Sequence, residues 1–399
     1  MSKKNRRNID DYKNLFRSEL QNHYRTQKSK VEKQGYKRTA GNRIYDFLVI
    51  NILGAFIHYC KSRFRPKTKF RKYILSNGIF KISNFTSIAL AADWASDTEQ
   101  SFKVGRLMQQ ENPDITIHLG DTYYVGAPQE IDDNFIADHN SWPRGKIGSL
   151  AIPGNHEYYS SGSPFYDNLL KTMGLQMNNS NLINQEASYF CLENDYWKIL
   201  GLDTGYHSVG IFLLEFLCPP NARLDKIEIK WLKETVNNMP DHKGLVILSH
   251  HQYLSDFEGE YPIVGKQLKE IFGDRTVIWI FGHEHKFAVY NNYSSSEGLN
   301  AYCRCIGNGG MPIELNRSFT PKGKRPLLFY EDRPNKELEG NLGYNGYSVL
   351  RLENDKVLIE YKDINNNILY SEVFTVDSNG NVSAPLINSK NPNLKMIKT

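Results

Sequence analysis

Six short apolar segments, each ending in polar or glycine residues, are the feature that most constrains how this chain can fold. They read TSIALAAD, ITIHLGD, SLAIPGN, KILGLDT, GLVILSHH and VIWIFGHEH, and helical patterns at Glu99–Gln110 and Leu224–Asn238 lie between several of them. Strands that are apolar on both faces and alternate with helices belong to a sheet that is covered on both sides. The 399-residue chain is 40% hydrophobic, which is enough for a large core of this kind. We therefore expect an α/β core that begins near residue 83.

Later segments follow a different pattern, which predicts a second and more antiparallel sheet. AYCRCIGN, YSVLRLEN, KVLIEYKD and ILYSEVFTV either alternate in polarity or are joined by the short turns ENDK and NNN. Such short connections are typical of antiparallel hairpins. The expected fold class is therefore α/β with an antiparallel part (α+β).

The N-terminal region differs in charge from the rest of the chain. Residues 1–82 hold 21 Lys/Arg and 5 Asp/Glu, a net charge of +16 (21 − 5), whereas residues 83–399 hold 28 and 39, a net charge of −11 (28 − 39). Within this region, the apolar run from Ile44 to Cys60 has the length of a short membrane span. Its polar residues Asp46, Asn51 and His58 would share one face of a helix, so an amphipathic helix is favoured over a span.

Basic residues on both sides of this apolar run suggest a membrane surface as a partner. The sequence KSRFRPKTKFRK follows the run directly, and it would attract an anionic bilayer. We expect residues 1–72 to provide this attachment. A helix that packs its apolar face on the following domain is an equally weighted alternative.

Cysteine content and the N-terminus favour a reducing compartment. The chain has five cysteines without paired zinc spacing, which indicates reduced thiols in a core. The first 30 residues contain no apolar signal core. We predict a cytoplasmic protein that attaches peripherally to the inner face of the membrane.

Most of the apolar segments end on a residue type that binds metal ions. The residues at these ends are Asp93, Asp121, Asn155, His250, and the pair His283 and His285. In extended backbone the two histidines of the pair would face the same side and could contact one ion or two adjacent ions. Hard oxygens with imidazoles suit a pair of first-row ions, and they differ from the thiolates of structural zinc sites. Each residue alone is weak evidence, because an Asp at a strand end is often only a turn or helix cap.

The order D…GD…GNH…H…GHxH across residues 85–310 resembles the calcineurin-like metallophosphoesterase superfamily. The resemblance implies a four-layer αββα sandwich of two mixed β-sheets flanked by helices, preceded here by a basic helical N-terminal extension. It divides the chain into an extension with an amphipathic helix (1–82), a metallophosphoesterase domain (83–385) and a C-terminal tail (386–399).

The first motif departs from the superfamily pattern, which is D-x-H. Here it reads Asp93-Trp94-Ala95, and alanine cannot bind a metal. Tyr124, three residues after Asp121, is placed to supply the missing ligand, which resembles the purple acid phosphatase branch with its iron-bound tyrosine. A phenol ionises only beside a strongly polarising cation, so a tyrosine ligand favours Fe³⁺. The neighbouring Tyr123 is assigned to packing.

The resemblance assigns a role to each of these residues. The first metal ion would be held by Asp93, Asp121, Tyr124 and His285, and the second by Asp121, Asn155, His250 and His283. The expected cofactors are iron and a divalent ion (Zn, Fe or Mn), and the expected reaction is attack of a metal-activated hydroxide on a phosphoester. His156 would stabilise charge or protonate the leaving oxygen. His251, His207 and Asp203 are candidates for supporting the ligands or contacting substrate.

Two other functions compete with a phosphatase. One is a nuclease or nucleic-acid-binding phosphodiesterase recruited by the basic extension, which has 13 Lys/Arg in residues 1–43. The catalytic region is acidic and lacks an aromatic and basic single-strand platform, so nucleic acid is the less favoured partner. The other is a non-catalytic metal-binding module. The complete set of expected ligands, together with His156, argues against this alternative.

Overall fold

The computed structural model describes residue 62 and then residues 66–137, 141–177, 181–210, 221–237, 242–296, 298–315, 320–338, 341–392 and 394–396. The predicted amphipathic helix at residues 44–60 and most of the predicted basic extension lie outside these residues. Among the described residues, no helix has both the length and the apolar character needed to cross a membrane.

Two mixed β-sheets form the centre of the molecule, each with nine strands among the described residues. In chain order the strands are β1 (Ile79–Lys81), β2 (Phe85–Ala91), β3 (Ile115–His118), β4 (Gly148–Ala151), β5 (Gly174–Met177), β6 (Asn181–Asn184), β7 (Phe190–Glu193), β8 (Trp197–Leu202), β9 (Gly244–Ser249), β10 (Thr276–Phe281), β11 (Phe287–Tyr293), β12 (Asn300–Ile306), β13 (Leu327–Tyr330), β14 (Gly346–Glu353), β15 (Lys356–Asp363), β16 (Ile368–Thr375), β17 (Leu386–Lys390) and β18 (Lys395–Met396). Sheet I has the strand order β1-β7-β8-β9-β10-β12-β11-β13-β18, and sheet II has the order β17-β16-β15-β14-β2-β3-β4-β5-β6.

Helices cover the outer faces of the sheets. The α-helices of the described residues are α1 (Glu99–Gln110), α2 (Pro128–Ile131), α3 (Asn155–Tyr159), α4 (Lys226–Asn237) and α5 (Pro262–Phe272). Shorter helical turns of other types lie at Asp132–Ile136, Phe165–Leu169, Leu170–Thr172 and Tyr206–Ser208. Helix α1 has the predicted bounds, and it begins after Thr98, whose hydroxyl accepts a hydrogen bond from the Ser101 amide.

The alternation of side chains along the strands explains the layers. In β2, Ile88 and Leu90 point into the core between the two sheets, whereas Ala89 and Ala91 face the outer layer that contains Val104 of α1. The parallel strands are thus buried on both faces, as their continuous apolar runs predict. The predicted αββα sandwich of two mixed sheets is confirmed.

The late antiparallel strands do not form a separate sheet, so this part of the prediction is wrong. Strand β14 pairs antiparallel with β2, with Leu350 opposite Ile88, and this pairing joins β14–β17 to the parallel strands β2–β4. Strand β12, which carries the AYCRCIGN segment, instead pairs parallel with β10 in sheet I. Both sheets therefore combine early and late strands.

The sheets also extend across both predicted segment boundaries. Strand β1 precedes residue 83 and pairs with β7, while β17 and β18 follow residue 385 and pair with β16 and β13. The division of the chain at these two positions stays a prediction.

A buried ion pair links the two sheets through the core. Nε and Nη2 of Arg304, on β12, each lie 2.6 Å from a carboxylate oxygen of Glu372, on β16. The Tyr361 hydroxyl donates to the same carboxylate at 2.9 Å. Because both charged side chains are fully buried, each needs its partner in order to be tolerated there.

Candidate metal centre

The predicted ligands lie where parallel strands of both sheets end. Asp93 and Asp121 follow β2 and β3 of sheet II, and Asn155 begins α3 after β4. From sheet I, His250 directly follows β9 and His283 follows β10. The carboxyl ends of β2, β3 and β4 lie at one edge of sheet II, and those of β9 and β10 lie at one edge of sheet I. Loops at such an edge can bring side chains together from distant parts of a sequence.

The side chains of these residues converge. One ligand atom from each of Asp93, Asp121 and His250 lies within 4.8 Å of the other two, and the same holds for His250, His251 and His283. His250 Nε2 is 3.1 Å from Asp121 Oδ2 and 3.3 Å from His283 Nδ1. Two overlapping groups that share His250 could therefore each contact a metal ion.

The backbone of three of these residues adopts a conformation that is rare outside glycine. The φ angles are 57° at Asp93, 72° at Asp121 and 68° at His283. This left-handed region is sparsely populated by residues with a Cβ, and it persists only where the surroundings impose it. The shared conformation indicates that the fold holds these three side chains in fixed positions.

Glycines allow the strand-end loops to approach the two carboxylates. A Cβ at Gly154 would lie 2.1 Å from Asp121 Oδ1, and a Cβ at Gly282 would lie 2.6 Å from Asp93 Oδ2. Both distances are too short for any side chain, so the sequence motifs GN and GH reflect close packing around the carboxylates.

Tyr123 contacts two of the predicted ligands through its phenol. Its hydroxyl donates to Asp93 Oδ1 at 2.7 Å and lies 2.9 Å from His285 Nε2. Tyr124 is also buried, with its ring centroid 6.4 Å from that of Tyr123. The assignment of Tyr124 as a ligand and of Tyr123 to packing stays a prediction. Spacing alone cannot decide between adjacent residues in a loop, because their side chains point in directions that the local backbone sets.

The side chain of Asn155 is oriented as a metal ligand would be. Its Nδ2 donates a hydrogen bond to the Tyr159 hydroxyl at 2.9 Å. Its Oδ1 is buried and has no hydrogen-bond partner among the described residues. A buried carbonyl oxygen without a partner is unfavourable unless another group fills that position. The residues present therefore fit a bound cation at this point.

His156 lies beside the carboxylate that the two ions would share. Its backbone amide donates to Asp121 Oδ1 at 3.0 Å, and its Nε2 is 3.7 Å from Asp121 Oδ2. Its Nδ1 lies 2.5 Å from the Tyr124 carbonyl oxygen, so Nδ1 carries the hydrogen. The opposite nitrogen is consequently the one directed towards the centre.

The imidazoles and carboxylates control one another's charge. Burial would raise the pKa of Asp121, but His156 and His250 lower it well below its usual value. Burial would lower the pKa of His250, yet the Asp121 carboxylate raises it to about 9. Burial and the neighbouring His250 lower the pKa of His283 to about 4. Carboxylates in this setting are ionised and ready to bind cations.

The three further candidates occupy different positions. His251 is buried against His283, with ring centroids 4.6 Å apart, and its Nδ1 lies 3.0 Å from the Thr204 hydroxyl. Asp203 accepts a hydrogen bond from a tyrosine, Tyr158, and burial raises its pKa to about 6.

His207 points to a different neighbour. Its Nε2 lies 3.0 Å from Asp225 Oδ2, in the segment that precedes α4. This contact does not link it to the metal-binding residues.

The sequence analysis did not identify Glu157, which holds the backbone of the loops that carry Asp121 and Asn155. Its Oε2 accepts hydrogen bonds from the backbone amides of Asp121 at 3.1 Å and Gly154 at 2.7 Å. A Glu in the first turn of a short helix is a known capping pattern, so the GNHE motif contained the signal. The same kind of support fixes His250, whose Nδ1 lies 2.9 Å from the Leu119 carbonyl oxygen. That contact leaves Nε2 of His250 to face the centre.

Comparisons with known proteins give one family match. The family model for calcineurin-like phosphoesterases matches residues 86–287. No curated protein sequence matches the chain significantly.

Three solved structures are similar to this chain at low sequence identity. A purple acid phosphatase from yellow lupin (Lupinus luteus) seeds is 16% identical, with a TM-score of 0.47, over 74% of this chain and 54% of the lupin chain. The structure of PhoD is 14% identical, with a TM-score of 0.46, over 77% of this chain and 72% of the other. A dimetal phosphatase from Danio rerio is 14% identical, with a TM-score of 0.42, over 70% of this chain and 96% of the other. This chain thus spans about half the length of the lupin enzyme.

The family match extends from β2 to the start of β11 and includes every predicted metal ligand. The family implies two metal ions and a phosphoester substrate. The chain belongs to the calcineurin-like phosphoesterase family.

Proposed function

We propose that this protein hydrolyses a phosphoester at a pair of metal ions that share Asp121. The observation that carries the proposal is the convergence of Asp93, Asp121 and His250 to within 4.8 Å, from the ends of three strands in two sheets. Asp93, Tyr123 and His285 would complete one ion site. Asn155, His250 and His283 would complete the other.

We assign the phenol ligand to Tyr123 and one of the ions to iron, with zinc, iron or manganese as the second. The assignment is supported by the hydrogen bonds of the Tyr123 hydroxyl to Asp93 and His285. A phenol close to a carboxylate and an imidazole would lose its proton only to a strongly polarising cation. This would make the site similar in kind to that of a purple acid phosphatase, since Ala95 stands where the superfamily's usual first motif has a histidine.

The bound ions would supply positive charge to the phosphoryl oxygens and lower the pKa of a water molecule. The protein's own residues do the rest. His156, fixed through its Nδ1 and its backbone amide, would donate a proton to the leaving oxygen or hydrogen-bond to the phosphoryl group. Glu157 and the Leu119 carbonyl hold Asp121 and His250 in orientation, so that neither ligand reorganises during turnover.

The proposed substrate is a phosphoester that the protein meets at a membrane surface. We retain the proposal that the basic residues 1–72 attach the protein peripherally to an anionic bilayer, and its cytoplasmic location stays a prediction. No described contact favours nucleic acid as a partner, and the acidic balance of residues 83–399 argues against it.

Elemental analysis of the purified protein, combined with assays on p-nitrophenyl phosphate and bis(p-nitrophenyl) phosphate, tests this proposal. We expect about two metal ions per chain, iron among them, and hydrolysis that a chelator abolishes. Asp121→Asn should remove activity, whereas the exposed Asp274→Asn should not. A metal-free active protein, or full activity in Asp121→Asn, would contradict the proposal.

A further inference from the structure

Residues 66–76, which we call the strap, lie against the catalytic domain beside the loops that follow α3 and β8. The Thr68 amide donates to the Ser161 carbonyl at 2.9 Å, and Lys67 Nζ donates to the Tyr206 carbonyl. Arg71 forms an ion pair with Asp167 at 2.8 Å. The strap therefore has a fixed position, and it connects the preceding part of the basic extension to a loop that begins near His156.

One carboxylate fixes the end of the strap. Glu186 Oε2 accepts hydrogen bonds from the backbone amides of Ile74 and Leu75, both at 2.9 Å, and Oε1 accepts from the Ser76 amide at 2.9 Å. Three amides bound to one side chain form a rigid turn. The turn nevertheless presents Ile74 at 79% and Leu75 at 91% exposure.

Single exposed apolar residues are ordinary, but this pair differs in its surroundings. The exposed lysines Lys69 and Lys72 precede it on the same strap. The run from Lys61 to Lys72 contains seven Lys/Arg and no acidic residue. Apolar side chains next to lysines are the arrangement that binds the interface of an anionic bilayer, since the aliphatic groups enter the acyl boundary and the ammonium groups meet lipid phosphates. A second copy of this chain would bring the same positive charges together, which makes self-association through this turn unfavourable.

We propose that Ile74 and Leu75 insert into the surface of an anionic bilayer and that Lys69 and Lys72 contact its headgroups. This deepens the membrane attachment proposed above, because it names the side chains at the C-terminal end of the extension that would enter the lipid. It does not depend on hydrolysis. Through Thr68 and Ser161, the contact also fixes which side of the catalytic domain lies next to the lipid.

Sedimentation of the full chain with phosphatidylcholine vesicles, prepared with or without phosphatidylserine, tests the proposal. The variant Ile74→Ser/Leu75→Ser should bind the phosphatidylserine vesicles about tenfold more weakly than the unaltered protein. The control is Leu386→Ser/Ile387→Ser. These two consecutive residues are also exposed (72% and 63% of their surface), but no basic run precedes them. This control should bind as the unaltered protein does. Because both serine variants keep all basic residues of the extension, a difference between them is due to the altered pair.

Further measurements separate the possible outcomes. Lys69→Gln/Lys72→Gln should weaken binding to phosphatidylserine vesicles and reduce its dependence on salt. Equal binding by the two serine variants would overturn the proposal, as would a lipid-free dimer that Ile74→Ser/Leu75→Ser converts to a monomer. Turnover of p-nitrophenyl phosphate in solution should be unchanged in all these variants, which shows that they are folded. Absence of turnover in the unaltered protein would count against the proposed function alone, because vesicle binding is measured without it.

Discussion

The hydroxyl of Tyr123 lies 2.7 Å from Oδ1 of Asp93, inside the group of predicted metal ligands. If this phenol binds iron, Tyr123→Phe should remove the visible ligand-to-metal charge-transfer band of the purified protein. Tyr124→Phe is the matched control, since it deletes a hydroxyl from the adjacent buried residue and should keep the band. Absorption spectra of the two variants at equal iron content decide between them. Loss of the band in Tyr124→Phe alone would return the assignment to Tyr124.

Replacing His156 should separate catalysis from metal binding. His156→Ala removes the ring that faces Asp121 but none of the proposed ligands, so metal content should stay near normal. Because a positioned acid contributes roughly 10²–10⁴-fold, kcat should fall by at least about 10²-fold. Metal analysis and steady-state kinetics on the same sample measure both effects. A loss of metal in this variant would mean that His156 is itself a ligand.

Glu157 should influence metal affinity through Asp121. Glu157→Ala removes the acceptor of the Asp121 and Gly154 amides, and supporting contacts of this kind are worth about 10–100-fold in metal affinity. Glu157→Gln keeps a side-chain oxygen at the same position and should lose much less. Competition with a chelator gives the affinity of each variant. Similar losses in both variants would show that the charge of Glu157 matters more than its hydrogen bonds.

Glu193 should make stability depend on pH in the acid range. Burial would raise its pKa, but hydrogen bonds from Lys243 and Lys81 lower it from 4.5 to about 2. Between these pH values Glu193 is protonated in the unfolded chain but stays ionised in the folded protein. The free energy of unfolding should therefore fall as the pH decreases from about 4.5 to about 2. Urea titrations of metal-free protein measure this slope. Glu193→Gln should reduce it, whereas Glu270→Gln, at an exposed position, should leave it unchanged.

The ion pair between the sheets should matter more for stability than ion pairs at the surface. Arg304→Met leaves the Glu372 carboxylate buried without its partner, and we expect a loss of about 3–5 kcal/mol in the free energy of unfolding. Arg304→Met/Glu372→Met should recover much of this loss, because no isolated charge remains. Asp274→Ala, which breaks the exposed pair with Lys269, should change stability by less than about 1 kcal/mol. Equal effects of Arg304→Met and Asp274→Ala would contradict this account.

Local patterns in the sequence predicted that the parallel strands are covered on both faces, and they placed Asp93, Asp121 and His250 at strand ends that the fold brings together. An apolar run that stops at Asp121 or His250 marks a strand end, and strand ends of parallel sheets meet at one edge. The pairing of β14 with β2 could not be read in this way, because it joins residues far apart in the chain whose alternation fits either sheet.

The choice between Tyr123 and Tyr124 depends on the backbone of one loop, which spacing does not report. The left-handed conformation of Asp93 and Asp121 is equally hidden, since neither residue is a glycine. Glu157 was visible as a capping residue, but its contact with Asp121 arises only when two strand ends meet.

The predicted metal ligands come from both β-sheets. Sheet II carries Asp93, Asp121 and Asn155, whereas sheet I carries His250, His283 and His285. Each bound ion would therefore connect the two sheets. Binding of the ions would then also stabilise the packing of the sheets against each other. Metal supply would then affect how much stable folded protein is present, in addition to how fast that protein works.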